Sequence, residues 1–342
     1  MIAICFNVDV CGSFVNYVAG GKVARHKRDG LELLKPFIAA RRDQTNEEKT
    51  EKFVRRMRSV SRENSRSGQN DFVSWVIDES KGENKEDWTV VARVFNVNFA
   101  SIHTSSMVSF ARPYDINMDR FVVQAVTQAL FDLASNPECM KPLREEVEEV
   151  TKREGWTKAA LDQMVKVDSF VKESQRLHPA AVRELLYNVS IHNFHHFYFY
   201  FKVMIGRYAM ADYTFSDGTF IPAGTIVGVS SNSVHRDPQT YEDPLRFDGF
   251  RFVKMKERAA LDGYPHKIFD MVTTNANFVG FGQGRHACPG RFFAAAEIKL
   301  LFAYIVTTYD IKLVDDARPL DFFRLNGIMP DPAAKVYFRR RQ

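Results

Sequence analysis

A cysteine in a glycine-rich loop is the residue of this chain best suited to do chemistry. Residues 281–293 read FGQGRHACPGRFF, with Cys288 just ahead of an apolar stretch of helical character. A helix N-terminus favours a thiolate because its free N–H groups and its dipole stabilise negative charge. A thiolate is one of the few axial ligands that proteins offer to haem iron. The loop therefore predicts a haem-thiolate site, although a lone buried cysteine is more often inert packing.

The residues around Cys288 are predicted to shape the loop. Gly282, Gly284 and Gly290 are expected to supply unusual backbone angles and to let the main chain approach a flat cofactor closely. Pro289 is expected in the first turn of the following helix, where a missing N–H costs nothing. The free N–H groups of that turn could then hydrogen-bond the sulfur and tune the iron.

The spacing Phe-x-x-Gly-x-His-x-Cys-x-Gly resembles the haem-binding signature of the cytochrome P450 family, in the form common in filamentous fungi. The resemblance implies that Cys288 is the metal ligand of haem b. It implies further cofactor contacts from the residues that match the signature, namely Phe281, Gly282, His286 and Gly290. His286 stands where many members have Arg, and the resemblance assigns it a contact with a haem propionate.

The helical pattern over residues 88–107 resembles the long central helix of the family, which crosses the distal face of the haem. That resemblance makes Thr104 the hydroxyl that organises a proton-delivering water. His103 stands where most members have Asp or Glu, so the proton relay is expected to differ. From the residues alone, Thr104 is an ordinary helix threonine. The resemblance also assigns Arg207, in a later strand-like segment, to cofactor binding.

Glu173 and Arg176 are spaced i and i+3 on a predicted helix, which allows a carboxylate–guanidinium pair. Two interpretations are open. A surface pair would contribute little to stability. The resemblance instead makes the pair the Glu-x-x-Arg of the helix beneath the haem, with Arg251 as the third member of a buried network that braces the cysteine loop.

The predicted fold is mainly α with small β-sheets and corresponds to the C-terminal part of the cytochrome P450 fold. Helices are expected over residues 127–149, with a break at Asn136, and over residues 294–309. A hairpin is expected at Asp217-Gly218, and an end strand is expected near residue 336. We expect one incomplete cytochrome P450 domain over residues 1–342, with family-like sequence from about 90 to 340.

Composition narrows the class of protein. The chain has 342 residues, an apolar fraction of 45% and a net charge of +5. This charge is too small and too dispersed to indicate nucleic-acid binding. The four cysteines have no paired spacing, which indicates a reducing compartment.

The first 21 residues contain too many polar residues for a transmembrane segment. Eukaryotic members of the family usually start with a membrane anchor and lie on the cytoplasmic face of the endoplasmic reticulum. The resemblance starts in the middle of the family fold. We therefore expect this chain to be a truncated product that lacks the membrane anchor and is cytoplasmic.

Two stretches interrupt the resemblance. Residues 108–124 and residues 183–202 each separate segments that run on continuously in relatives. The codons for the first residues of each stretch can contain a splice-donor sequence. The hypothesis is therefore that both stretches are retained introns. Genuine loop insertions are the alternative.

The resemblance implies a haem-dependent monooxygenase of fungal secondary or xenobiotic metabolism. It would insert one atom of O₂ into a small apolar substrate. Its electrons would come from NADPH through a cytochrome reductase or another donor. The alternative is a non-catalytic or inactive haem-binding fragment.

Overall fold

The computed structural model describes residues 31–43, 72–80, 86–105, 121–179, 183–189, 197–203, 205–315, 317–324, 327–331 and 333–342. The chain divides into two units, residues 3–102 and residues 103–342 together with the first two residues. Among the described residues, no helix is long and apolar enough to cross a membrane.

The first unit contains a helix over residues 31–43 (α1), α2 (Phe72–Glu79) and most of α3 (Asp87–Ser105). Its small core is formed by Ile38, Val90 and Val91, which are all almost fully buried. The adjacent positions 90 and 91 face this core because α3 packs against two other helices. The pattern of apolar residues over 88–107 therefore predicted this helix correctly.

The second unit is built mainly of helices. They are α4 (Phe121–Ser135), α5 (Met140–Glu154), the short α6 (Lys158–Gln163), α7 (Val165–Leu177), the single-turn α8 (Ser231–His235), α9 (Arg251–Leu261) and α10 (Arg291–Thr308). A short 3-10 turn, Pro137–Cys139, separates α4 from α5. The break expected at Asn136 is confirmed.

The small sheets described in this unit are all two-stranded and antiparallel. Their strands are β1 (Arg183–Val189) with β2 (Phe197–Val203), β3 (Ile205–Tyr208) with β6 (Ile226–Val229), β4 (Tyr213–Thr214) with β5 (Phe220–Ile221), β7 (Tyr309–Leu313) with β10 (Val336–Arg340), and β8 (Phe322–Arg324) with β9 (Gly327–Met329). The hairpin predicted at Asp217-Gly218 joins β4 to β5, and Gly218 has the positive φ of 87° that its turn requires. The expected fold class, mainly α with small sheets, is confirmed.

The core of this unit lies between α4, α5, α7 and α10. Leu143, Val147 and Val150 follow the i, i+4, i+7 pattern that places one apolar stripe of α5 inward. Phe170 of α7 stacks on Phe302 of α10, with ring centroids 5.3 Å apart. This contact fixes α7 against the helix that follows the cysteine loop.

A glutamate from α5 determines where α7 begins. Glu146 accepts hydrogen bonds from the backbone N–H groups of Lys166 (2.7 Å) and Val167 (2.9 Å). The first N–H groups of a helix have no partner within the helix, so this carboxylate replaces the missing acceptors. Burial is the largest influence on Glu146, and it raises the pKa of this carboxyl despite the two N–H donors.

A charged cluster closes the C-terminal end of α7. His178 Nδ1 lies 2.6 Å from Asp321 Oδ2, and His178 Nε2 lies 3.5 Å from Asp132 Oδ1. Arg318 Nε is 2.5 Å from the same Asp132 oxygen. Burial lowers the pKa of His178, but the hydrogen bonds of the two aspartates and the charge of Asp132 outweigh burial, so the net pKa is raised.

This raised pKa predicts a pH-dependent effect of His178→Gln. A histidine whose pKa is higher in the folded state stabilises fully below its unfolded pKa of about 6.5. That stabilisation is lost as pH rises through the folded pKa. We therefore expect the loss of unfolding free energy in His178→Gln to be largest at pH 6 and to shrink toward pH 10, measured by urea denaturation. A loss that is constant with pH would contradict a charged His178.

Candidate functional site

The cysteine loop lies between buried Phe281 and the start of α10. Gly282 and Gly284 have φ angles of 73° and 71°, in the left-handed region that favours glycine. The backbone N–H of Cys288 donates to the carbonyl of Phe281 at 2.8 Å and closes the loop. The Cys288 side chain itself is exposed. The loop thus presents a free thiol on a fixed backbone.

Two expectations about this loop are wrong. α10 begins at Arg291, with Gly290 as its N-cap, so Pro289 precedes the helix instead of occupying its first turn. Gly290 has φ −84°, which any residue can adopt. A Cβ at Gly290 would lie 4.0 Å from the Cys288 sulfur, an ordinary contact distance, so the packing of the described residues does not by itself require glycine at this position.

An arginine fixes the position of the cysteine carbonyl. Arg291 Nη1 donates to the Cys288 carbonyl at 2.9 Å, and Arg291 Nε donates to the Val272 carbonyl at 3.0 Å. The guanidinium carbon lies 4.4 Å from the ring centroid of Phe292. Arg291 therefore ties the loop to the segment before it. Arg291 was not among the residues predicted for the site, although its position three residues after the cysteine can be read from the sequence.

The surroundings of Cys288 fit a haem group. His286 Nε2 is buried and has no hydrogen-bond partner among the described residues. A buried polar nitrogen without a partner is costly, and a carboxylate such as a haem propionate would accept a hydrogen bond from its protonated form. The rings of Phe292 and Phe293 are 58% and 65% exposed and give the same end of α10 an apolar surface. A thiol ligand, a free imidazole nitrogen and apolar rings are the groups that an iron porphyrin needs.

The Glu173, Arg176 and Arg251 side chains form one buried network. Arg176 Nε and Nη2 donate to the two oxygens of Glu173 at 2.7 Å and 2.8 Å. Arg251 Nε donates to Glu173 Oε1 at 3.0 Å, and the Asp248 N–H donates to the same oxygen at 3.1 Å. The Glu173 and Arg176 side chains have no exposed surface. The interpretation of this pair as a surface pair is therefore wrong.

The outer nitrogens of the two arginines hold a stretch of irregular chain. Arg176 Nη1 donates to the carbonyls of His235 (2.6 Å) and Pro244 (2.7 Å). Arg251 donates to the carbonyls of Glu242 and, at 2.8 Å, Arg246. Buried carbonyls outside a helix or sheet need such donors. The network thus fixes residues 235–251 onto α7.

A glycine in this irregular stretch permits its close packing. A Cβ on Gly249 would lie 2.6 Å from the Phe170 ring, a distance so short that either the ring or the backbone would have to shift. Ser169 Oγ donates to the Gly249 carbonyl at 3.0 Å. The close contact with Phe170 of α7 therefore explains why glycine occupies position 249.

Buried charges from α7 and α10 hold the segment before the loop. Lys172 Nζ donates to the carbonyls of Phe269 (3.0 Å) and Asp270 (3.2 Å). Asp168 accepts from the Met271 N–H at 2.9 Å and pairs with Lys299 at 3.2 Å. Burial lowers the pKa of Lys172 to about 7. Lys172 and Asp168 could not be predicted as site residues, because their backbone partners lie 97 to 103 positions away in the chain.

The remaining predicted site residues are not joined to the loop by the contacts of the described residues. Arg207 lies in β3, where its Nη1 donates to the Gly206 carbonyl at 2.8 Å. It shares no described hydrogen bond or ion pair with the cysteine loop. The backbone of His103 and Thr104 is helical within α3, and their side chains lie outside the described residues.

Fold and site together define a mainly helical protein with the features of a haem-thiolate protein, namely a free cysteine on a glycine loop and a buried Glu-Arg-Arg network. Comparison with known families agrees. The cytochrome P450 family model matches residues 122–198 and 197–338. The chain belongs to the cytochrome P450 family.

Several curated proteins similar to the chain are fungal. Cytochrome P450 monooxygenase 151 of Postia placenta is 39% identical over 276 residues, which cover 80% of this chain and 47% of that protein. Ent-kaurene oxidase P450-4 of Gibberella fujikuroi is 33% identical, again over 80% of this chain and 47% of the relative. Cytochrome P450 monooxygenase hepE of Aspergillus oryzae is 35% identical over 80% of this chain and 42% of the relative. The chain spans about half the length of these relatives.

Proposed function

We propose that this chain carries the haem-binding half of a monooxygenase that inserts one atom of O₂ into an apolar organic substrate. The observation that carries the proposal is the exposed thiol of Cys288 on a loop closed by the Cys288 N–H, beside the unpaired nitrogen of His286. Bound haem would supply iron on which a thiolate ligand favours cleavage of the O–O bond.

The residues of this chain would hold the cofactor as follows. Cys288 would bind the iron through its thiolate, and His286 would donate to a propionate. Phe281, Gly282 and Gly290 would form the wall of backbone and ring that the porphyrin faces. Arg207 is proposed as a further cofactor contact on the basis of family resemblance alone. Glu173, Arg176 and Arg251 would brace the loop.

The oxygen side of the site is proposed on the family pattern. Thr104 would hold a water in hydrogen-bonding position for proton delivery, and His103 would replace the usual acidic neighbour. NADPH would serve indirectly, through a reductase or another electron donor. The complete protein is proposed to act on the cytoplasmic face of the endoplasmic reticulum, in secondary or xenobiotic metabolism. A haem-binding chain without catalysis is the second candidate.

The reduced carbon monoxide difference spectrum of the purified chain, reconstituted with haem, tests the proposal. A Soret band of the thiolate type is expected. A band of the histidine type, or no band, would contradict the haem-thiolate assignment. With a thiolate band present, product formation on addition of a reductase, NADPH and an apolar substrate separates the monooxygenase from the non-catalytic candidate.

We further propose that residues 1–342 form one incomplete domain that carries two retained introns, residues 108–124 and 183–202. Sequence continuity in the family supports this proposal. The alternative of genuine insertions has support too, because residues 183–189 and 197–203 pair as β1 and β2 and Gln124 lies buried in α4. Removal of both stretches is expected to raise soluble yield and haem occupancy. Mature transcripts that all retain both stretches would overturn the intron proposal.

A further inference from the structure

His235, at the end of α8, connects the buried network to the chain that enters the cysteine loop. Its side chain is fully buried. Its Nδ1 lies 3.2 Å from the Arg176 carbonyl, and its Nε2 accepts from the Val279 N–H at 3.0 Å. A backbone N–H can only donate, so Nε2 carries no proton. The proton therefore sits on Nδ1, which donates to the Arg176 carbonyl, and the ring is neutral.

The bonds of His235 continue directly into the loop. Val279 accepts from the Gly282 N–H at 2.8 Å, in the turn that precedes the cysteine. The His235 ring also stacks on Phe278, with centroids 4.9 Å apart and planes at 13°. On the other side, Arg176 donates to the His235 carbonyl at 2.6 Å, so the two residues hold each other by two bonds. A path of hydrogen bonds thus runs from the network to the loop.

We propose that His235 is a positioning residue that transmits the rigidity of the Glu173–Arg176 pair to the cysteine loop through its single neutral tautomer. Its effect on the haem rests on the function proposed above, whereas its effect on the loop backbone does not. The residue touches no reacting atom. It acts by fixing Val279, and through Val279 the turn at Gly282.

Burial and the positive charges that face the His235 ring keep the ring neutral. Burial is the largest influence, and it lowers the pKa of His235 to about 4, while the bond to the Arg176 carbonyl acts in the opposite direction. The charged groups that act on it, Arg176 and Lys172 on α7 and Arg236 next in the chain, are all cationic and disfavour a second proton. Since the folded pKa lies below the unfolded value of about 6.5, the contribution of His235 is complete above pH 6.5. It is lost as pH falls toward 4.

Amide hydrogen exchange followed by mass spectrometry tests the proposal on the full chain without haem. His235→Phe keeps an aromatic ring for Phe278 but loses both hydrogen bonds. We expect the peptide covering residues 279–288 to exchange at least about tenfold faster than in the parent, with α5 as the internal reference for global unfolding. His235→Gln, whose side-chain oxygen can accept from the Val279 N–H, is expected to stay within about threefold of the parent.

Tyr241→Phe is the matched control. The Tyr241 hydroxyl donates to the Asn277 carbonyl at 2.7 Å, so this variant loses one hydrogen bond to the same stretch but none at Val279. It is expected to leave exchange of residues 279–288 unchanged. Parent-like loop exchange in His235→Phe would overturn the proposal. So would an equal acceleration in Tyr241→Phe.

If His235→Phe unfolds throughout, the parent at falling pH decides the matter. Loop protection, corrected for the intrinsic exchange rate, is expected to fall between pH 6.5 and 4 before protection of α5 falls. Simultaneous loss in both segments would overturn the proposal. The haem spectrum separates the two proposals. Fast loop exchange in His235→Phe, with no thiolate band in the parent, would support the positioning role and contradict the proposed function.

Discussion

Cys288→Ala is expected to abolish the thiolate-type Soret band of the haem-loaded chain. The exposed sulfur of Cys288 is the proposed iron ligand, and alanine offers the iron no donor atom. We expect at least a tenfold loss of haem retained after gel filtration, because the ligand bond is removed while the surrounding backbone stays. The reduced carbon monoxide difference spectrum measures the change of ligand, and the haem-to-protein ratio measures retention.

Cys139→Ala is the matched control for this experiment. Cys139 is buried, and burial raises the pKa of its thiol to about 11, so it offers no thiolate near neutral pH. This variant is expected to keep the thiolate band of the parent. A thiolate band that persists in Cys288→Ala would show that the ligand lies elsewhere in the chain.

Glu173→Ala is expected to destabilise the fold by about 3–5 kcal/mol, since it leaves two buried guanidinium groups without their carboxylate. Arg176 would lose two hydrogen bonds and Arg251 one, in a place where their side chains are 0% and 8% exposed. The irregular stretch over residues 235–251 would loosen with them, and haem incorporation is expected to fail. Urea denaturation followed by circular dichroism gives the change in unfolding free energy.

An exposed pair with similar helical spacing provides the control. Lys158 and Asp162 lie 3.3 Å apart with side chains 80% and 68% exposed. Asp162→Ala is expected to cost less than about 0.5 kcal/mol. Equal unfolding midpoints for Glu173→Ala and the parent would mean that the network does not support the fold.

Local chemistry explains what could be predicted from the sequence. The left-handed backbone at Gly282 and Gly284 follows from the glycine spacing, because other residues avoid those angles. The inward stripe of α5 follows from apolar residues at helical period. The turn at Gly218 likewise depends on a short run of residues. Each of these features is determined within a few positions.

The tertiary structure decided the features that join distant positions. The i, i+3 spacing of Glu173 and Arg176 is equally compatible with a surface pair, and only the packing of residues 235–251 over α7 made it buried. Gly249 is needed because Phe170, far away in the chain, occupies the space of its side chain. His235 joins Arg176 to Val279 across 59 and 44 positions. Sequence alone establishes which groups are present, whereas burial and these long-range hydrogen bonds determine what the groups do, because a charge or an imidazole changes its behaviour when water is removed.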